Sequence, residues 1–253
     1  MKTNYLCRVE ELKRLTDTIW LLELEASNIR EAIKPGQFFH VKCDDGYLRR
    51  PFSVCDFKEG ILKIAFEARG KGTKALSKVE RGDNIDVLGP LGNGFDIGYD
   101  RICVVGGGIG VFPLLYLLNK SESLRKDAVL GFLCKDKVVL ENEFANLCDN
   151  LVIACDDGSY GVRGFVTTAL EKHLEKHDFD IVYTCGPSIM MKKVYEICKK
   201  HNIPCQVSLE ERMGCGIGAC LVCVCEVKKD KVLQNKRVCK DGPVMWANEV
   251  YYD

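Results

Sequence analysis

The feature that most constrains this chain is a group of cysteines near its C-terminal end. Cys215-x4-Cys220-x2-Cys223 is followed, after fifteen intervening residues, by Cys239. This is the plant-type ligand spacing of a 2Fe–2S cluster, in which four thiolates converge on two irons. Three ligands on one short loop bring the backbone close to the metal. Gly214, Gly216, Gly218 and the small Ala219 permit that approach and leave N–H groups free to donate to sulfur. Zinc is the alternative, but zinc sites usually pair ligands on separate knuckles. Cys225 lies two residues beyond Cys223, where strand alternation turns its side chain away, and it is expected to be a bystander. The stretch from 210 to 253 is too short to build a core of its own without a metal.

The remaining ten of the 15 cysteines are scattered between Cys7 and Cys205, mostly in apolar segments such as Ile102-Cys103-Val104. They read as small buried hydrophobes. An odd total in a chain of 253 residues argues against a disulfide framework. The first fifteen residues hold no apolar run of signal-peptide length. The least polar stretch, 102–118, is interrupted by glycines and Pro113 and is short for a membrane span. A cytoplasmic, reduced protein with no membrane partner is therefore expected. With 36 basic and 36 acidic side chains the formal charge is zero, which disfavours nucleic acid as a partner.

Residues 1 to about 98 read as short strands (19–24, 37–42, 61–66, 84–88). They are separated by turn signals such as Pro35-Gly36, Asp44-Asp45-Gly46 and Arg81-Gly82-Asp83, a rhythm that suggests a barrel or sandwich. From Asp100 the rhythm changes. Strand-like runs at 102–105, 128–134, 151–154, 181–185 and 204–209 alternate with helical patterns at 111–119, 164–175 and 188–200, as in a parallel α/β sheet.

Five motifs carry chemistry beyond the cysteines. Arg50-Pro51-Phe52-Ser53 opens a strand-like run, and an arginine fork there suits a pyrophosphate. Gly70-Lys71-Gly72-Thr73 offers free N–H groups at a helix start. A barrel-edge turn and a helix cap would need the same residues, but together, ahead of an α/β unit, they point to a flavin. Gly106-Gly107-Gly108-Ile109-Gly110 joins a strand to a helix as a dinucleotide turn does, although it is not a strict G-x-G-x-x-G and a tight strand–helix connection would also use it. Asp157-Gly158-Ser159 and Cys185-Gly186-Pro187 follow strands at their carboxyl ends, where parallel sheets bind ligands. Whether Cys185 is reactive or packed stays open.

These motifs resemble the ferredoxin–NADP reductase superfamily, whose β-barrel binds FAD through Arg-x-x-Ser and a following glycine turn. The resemblance implies flavin contacts at Arg50 to Ser53, at Gly72 and Thr73, and along Ala65-Phe66-Glu67. At the last of these sites, relatives carry an aromatic–basic pair and Glu67 departs from it. It also implies a pyridine-nucleotide site at Gly106, Gly107, Gly108, Gly110, Asp157 to Ser159 and Cys185 to Pro187. Asp156 and Asp157, with no basic pair beside them, favour NAD over NADP. The run from Ser208 to Cys220, Arg237-Val-Cys239-Lys-Asp-Gly-Pro-Val244 and Gly89-Pro-Leu-Gly-Asn-Gly-Phe95 are more specific. They resemble the electron-transfer subunits of NAD-dependent (type B) dihydroorotate dehydrogenases over nearly the whole chain. Subunits of ferredoxin-dependent transhydrogenases and sulfide dehydrogenases share the layout.

The resemblance implies a β-barrel plus α/β fold: an antiparallel FAD-binding barrel over 1–98, a parallel-sheet NAD-binding domain over 99–209 and a 2Fe–2S segment over 210–253. It implies an oxidoreductase subunit that passes electrons from dihydroorotate, oxidised at the FMN of a partner catalytic subunit, through the cluster and FAD to NAD+ in pyrimidine biosynthesis. The expected assembly is a heterotetramer with two of each subunit. No side chain is expected to act as a catalytic acid or base. A self-contained NADH-dependent reductase serving a soluble acceptor and a redox-sensing regulator are the alternatives.

Overall fold

The computed structural model describes residues 3–43, 48–229 and 232–252; the turn expected at Asp44-Asp45-Gly46 lies outside the described residues. Six antiparallel strands close a barrel: β1 (Thr3–Arg14), β2 (Ile19–Glu25), β3 (Phe38–Val41), β4 (Arg50–Lys58), β5 (Ile61–Glu67) and, after helix α1 (Lys71–Leu76), β6 (Asn84–Leu91). Their order is β1-β2-β5-β4-β3-β6, and β1 pairs with β6 to complete the ring. Alternation builds the interior, because Leu22 and Leu24 of β2, Leu62, Ile64 and Phe66 of β5 and Phe39 of β3 all point inward and are fully buried. Each such side chain stabilises the fold by about 1.5–3 kcal/mol.

The second layer system begins with β7 (Arg101–Gly107), α2 (Val111–Lys120), β8 (Arg125–Phe132), α3 (Glu141–Leu147) and β9 (Asn150–Cys155). It continues with β10 (Val162–Arg163), α4 (Val166–Leu174), β11 (Ile181–Cys185), α5 (Ser188–Lys200) and β12 (Cys205–Ser208). These strands are parallel, with β7 at the centre. The run Ile102-Cys103-Val104-Val105 serves two cores. Ile102 and Val104 pack under α2 and α3, while Cys103 and Val105 pack under α4 and α5. That is why the strand is apolar throughout rather than alternating.

Residues beyond β12 form the hairpin β13 (Val224–Lys229) and β14 (Val232–Arg237), the short helix α6 (Val238–Asp241) and β15 (Val244–Trp246). Strand β15 adds to the sheet edge antiparallel to β12. The same segment is tied to the barrel, where Asn93 donates from its backbone and side chain to the carbonyls of Gly242 (2.6 Å) and Asp241 (2.8 Å). Barrel and sheet also meet directly. The Tyr116 hydroxyl of α2 donates to the Ile33 carbonyl at 3.0 Å, and Gln206 of β12 both donates to the Asp96 carboxylate (2.7 Å) and accepts from its backbone N–H (3.0 Å).

Near the amino end of the interior strand β8, buried Asp127 accepts from Arg125, Asn150 and His173 at 2.7–3.1 Å. Burial pushes its carboxyl up, but these donors outweigh burial and hold it below its ordinary value. No helix among the described residues is long and apolar enough to cross a membrane.

Candidate functional site

Barrel and sheet enclose a cleft of about 800 Å³ at the carboxyl ends of the parallel strands, the position at which such sheets receive ligands. The barrel supplies Pro51, Phe52, Ser53, Ala65 and Glu67; the sheet side supplies Gly107, Gly108, Gly110, Cys185, Gly186 and Pro187. The structure thus brings eleven residues of the two sequence motifs sets to one cavity. The other named positions lie around it. Phe66 is inside the barrel core at 1% exposure, since alternation sends Ala65 and Glu67 outward and Phe66 inward. Gly106 sits beneath α2, where an added methyl would meet Val111 at 2.8 Å, so its role is close helix–strand packing.

Arg50 is not among the residues lining the cleft, yet it joins the glycine turn: a methyl on Gly72 would lie 3.8 Å from the Arg50 guanidinium. Thr73 is occupied locally, its hydroxyl accepting from the N–H groups of Arg69 (3.0 Å) and Gly70 (3.1 Å). Asp157 and Ser159 also bond within their own turn: Asp157 accepts from the Ser159 N–H and hydroxyl at 2.9 and 2.6 Å, and Gly158 takes φ +75°. The carboxylate that reaches the cleft there is Asp156, which burial and its neighbour Asp157 push above the usual range.

The glycine turn is built to close tolerance. A methyl on Gly107 would meet Met190 Sδ at 2.5 Å, and one on Gly110 would meet the Cys185 carbonyl oxygen at 2.3 Å. Cys185 is half-buried, and burial pushes its thiol up to about 12, so it is a protonated thiol near neutral pH rather than a thiolate nucleophile. Charged side chains missed by the sequence reading also line the cleft, namely Arg69, Lys137 and Lys193. Arg69 pairs with Glu67 at 2.7 Å, and Thr18 links Glu67 (3.2 Å) to Lys137 (3.2 Å) from the opposite side. Arg69 is two residues past Glu67 on the same exit from β5, and strand direction was the available signal.

The cysteine loop stands beside this cleft. The N–H groups of Ile217, Ala219 and Cys220 point at Cys215 Sγ at 3.3–3.4 Å, that of Cys215 at Cys220 Sγ at 3.4 Å, and that of Cys239 at Cys223 Sγ at 3.4 Å. Gly216 and Gly218 take φ of +71° and +82°, the left-handed geometry that turns the amides inward. Burial pushes the Cys215 thiol up, but the amides together outweigh it and bring it down to about 6. Such a loop stabilises thiolate sulfur, as an iron or zinc ligand set requires.

Arg237 clamps the loop, donating to the Gly218 carbonyl at 3.1 Å and to Asp241 at 2.9 Å. Cys223 and Cys239 share a buried cluster with Phe38, which also lines the cleft, so one aromatic side chain belongs to both the thiol cluster and the cavity wall. Cys225 turns away and packs on Met245, Sγ to Sδ 3.9 Å. Of the ten scattered cysteines seven are buried, and none of the fifteen is joined in a disulfide.

His40, on the same face of β3 as Phe38, was read only as part of a strand. It is fully buried, and neither ring nitrogen has a hydrogen-bond partner among the described residues. Burial, with Arg49 and Arg50 nearby, pushes it down to about 4 and keeps the ring neutral. A polar residue in the four-residue run Phe-Phe-His-Val was the signal that could have found it.

Comparison with known proteins places these features. Residues 210–251 match the family model of the iron–sulfur cluster binding domain of dihydroorotate dehydrogenase B. The chain is 42% identical to the dihydroorotate dehydrogenase B (NAD(+)) electron transfer subunit of Caldanaerobacter subterraneus subsp. tengcongensis, covering 100% of both chains. It is 40% identical to the same subunit of Clostridium perfringens, over 97% of each. Among solved structures, the NADH-dependent reduced ferredoxin–NADP oxidoreductase studied for flavin-based electron bifurcation superposes with a TM-score of 0.87 at 30% identity, over 98% of this chain and 90% of that one. A ferredoxin NADP+ reductase from Neisseria gonorrhoeae, solved with FAD and NADP, shares the fold at TM-score 0.66 and 17% identity, over 78% of this chain and 91% of that one.

Proposed function

Because this chain belongs to the family of electron-transfer subunits of NAD-dependent dihydroorotate dehydrogenase B, we propose that it carries electrons from dihydroorotate, oxidised at a partner subunit's FMN, through a 2Fe–2S cluster and FAD to NAD+. It is an oxidoreductase subunit of pyrimidine biosynthesis, working in the cytoplasm as the electron-transfer component of a heterotetramer with two catalytic and two electron-transfer chains. A flavin exchanges electrons in pairs with a nicotinamide and singly with an iron–sulfur cluster, which is the chemistry these groups supply when bound.

The positions of the residues support the following roles. Cys215, Cys220, Cys223 and Cys239 hold the cluster, and the amides of the 215–220 loop stabilise its thiolates. Pro51, Phe52, Ser53, Ala65 and Glu67 hold the flavin along the barrel wall, with Arg50 and Gly72 at its phosphates. Gly107, Gly108, Gly110 and Cys185 to Pro187 form the nicotinamide nucleotide's side of the cleft, where the Asp156 carboxylate disfavours a 2′-phosphate. No side chain is assigned as an acid or base. The working units are 1–98 for FAD, 99–209 for NAD and 210–253 for the cluster.

The observation that carries this reading is the adjacency of the thiols and the cleft across Phe38. Exposed Ile217, Leu221 and Val222 around Cys220 suit the outer end of the same line to a partner's apolar surface. The test is anaerobic co-expression with the FMN-containing partner, followed by flavin, iron and acid-labile sulfide analysis. The reading requires one FAD and two irons per chain, with iron lost in serine replacements of each of the four cysteines. A chain holding only zinc, or one that purifies alone while reducing a soluble acceptor with NADH, overturns it.

A further inference from the structure

The outer face of β3 touches both halves of the proposed electron path. Phe39 and Val41 fill the barrel, so Phe38 and His40 face outward, and both are nevertheless buried because the cysteine segment covers them. Across the ladder Phe38 pairs with Ser53 and His40 with Pro51, both flavin-motif residues. Paired residues share a face, so the His40 ring stands between the flavin segment and the cysteine loop. A methyl added to Gly216 would lie 2.7 Å from His40 Nδ1 and 2.9 Å from Cε1, so the loop backbone rests on the ring and only glycine fits there. Phe38 meets the ring edge-on at 6.1 Å between centroids.

A neutral imidazole carries one N–H and one lone pair, and proteins rarely leave either buried without a partner. His40 leaves both so among the described residues. The N–H groups of Cys215, Ile217 and Ala219 are directed at Cys220 and Cys215 sulfur and so offer the His40 lone pair no donor. What the loop gains on loading is sulfur, an acceptor. We infer that His40 is a positioning residue of the cluster: its ring N–H finds its acceptor among the sulfur atoms gathered in this loop, seating the 215–220 loop on the barrel and making the cluster easier to reduce. Donors to sulfur stabilise the more negative, reduced cluster and raise its potential. The inference rests on the cluster assignment above.

The test uses the complete complex prepared anaerobically with wild type, His40→Phe, which keeps a ring without a donor, and His40→Asn, whose amide can donate near the Nδ1 position. Three properties are read: iron and sulfide content, the EPR-monitored reduction potential of the cluster, and exchangeable-proton couplings of the reduced cluster by ENDOR in H2O against D2O. The expected result is that His40→Phe shifts to a more negative potential and loses a coupling, or fails to load, while His40→Asn recovers the wild-type values in large part. Phe and Asn variants indistinguishable in loading, potential and couplings overturn the inference, since shape alone would then matter. A wild-type complex without iron and sulfide fails the cluster assignment instead, and is recognised before any variant is compared.

Discussion

Replacing Gly110 with alanine separates local propensity from packing. Gly110 has φ −65° and ψ −9°, a right-handed conformation that any residue adopts, at the start of α2. On backbone grounds alone alanine should gain about 1 kcal/mol there. The added methyl, however, would lie 2.3 Å from the Cys185 carbonyl oxygen, 2.5 Å from its carbon and 2.7 Å from the Gly186 nitrogen. All three are backbone atoms, so no rotamer change relieves the contact. Restoring an ordinary separation moves the turn and the end of β11 apart by about 1 Å, a strain of about 1–3 kcal/mol by analogy with overpacked cores.

For a chain of this length that lowers the thermal midpoint by roughly 2–4 °C per kcal/mol. The displaced atoms line the cleft, so NADH affinity should fall by more than tenfold even where the protein stays folded. The assay is thermal unfolding with an NADH titration, alongside Gly108→Ala. Gly108 has φ +55° and open space around its added methyl, so it costs only about 1 kcal/mol of backbone strain. A Gly110→Ala protein matching wild type in both midpoint and NADH affinity would refute the argument from close approach.

Other outcomes follow from the same geometry. Tyr116→Phe removes the 3.0 Å bond to Ile33 and leaves a buried carbonyl unpaired, so urea unfolding should show a loss of about 1–3 kcal/mol; an unchanged midpoint would mean that water replaces the bond. Arg50→Ala and Ser53→Ala should each weaken flavin retention on gel filtration without changing iron content, and full retention in both would count against the barrel-wall site. His173 faces Asp127, Arg125 and His177, and burial holds it below its ordinary 6.5 despite the pull of Asp127. Its folded form binds protons less readily than its unfolded form, so its contribution is full above pH 6.5 and is lost as pH falls toward its folded value. Asp127, also depressed, adds a second loss below about pH 4. The thermal midpoint should therefore decline from pH 7 to 5, less steeply in His173→Gln; parallel profiles for the two proteins would remove His173 from the account.

How far the sequence announced this molecule depended on what each segment packs against. The β7 run from Ile102 to Val105 was legible because both faces of the strand are covered, and α5 was legible because Met191, Val194, Ile197 and Cys198 recur at helical spacing. The first strand was not. Tyr5, Cys7 and Val9 alternate correctly, but Leu6 points outward at 64% exposure and blurs the pattern. The cysteine spacing carried the cluster loop, whereas the three-residue strand β15 has too little pattern to reveal that the tail joins the sheet. Arg69, Phe38 and His40 reach the site through β-register and chain direction, which a linear motif does not encode. Phe66 shows the converse: its motif position was plain, and alternation turned it into the core.

The tail that carries the thiols is fixed to both halves of the molecule, by Asp241 and Gly242 to the barrel loop at Asn93 and by Val244–Trp246 to the sheet edge. Such a segment cannot swing as a tethered arm would. The gaps that an electron must cross inside this chain are therefore fixed when the chain folds, independently of any encounter. Only the last gap, from the rim around Cys220 outward, is left to be set by docking, so variants at that rim should alter the rate of electron arrival while leaving onward delivery to the nucleotide untouched.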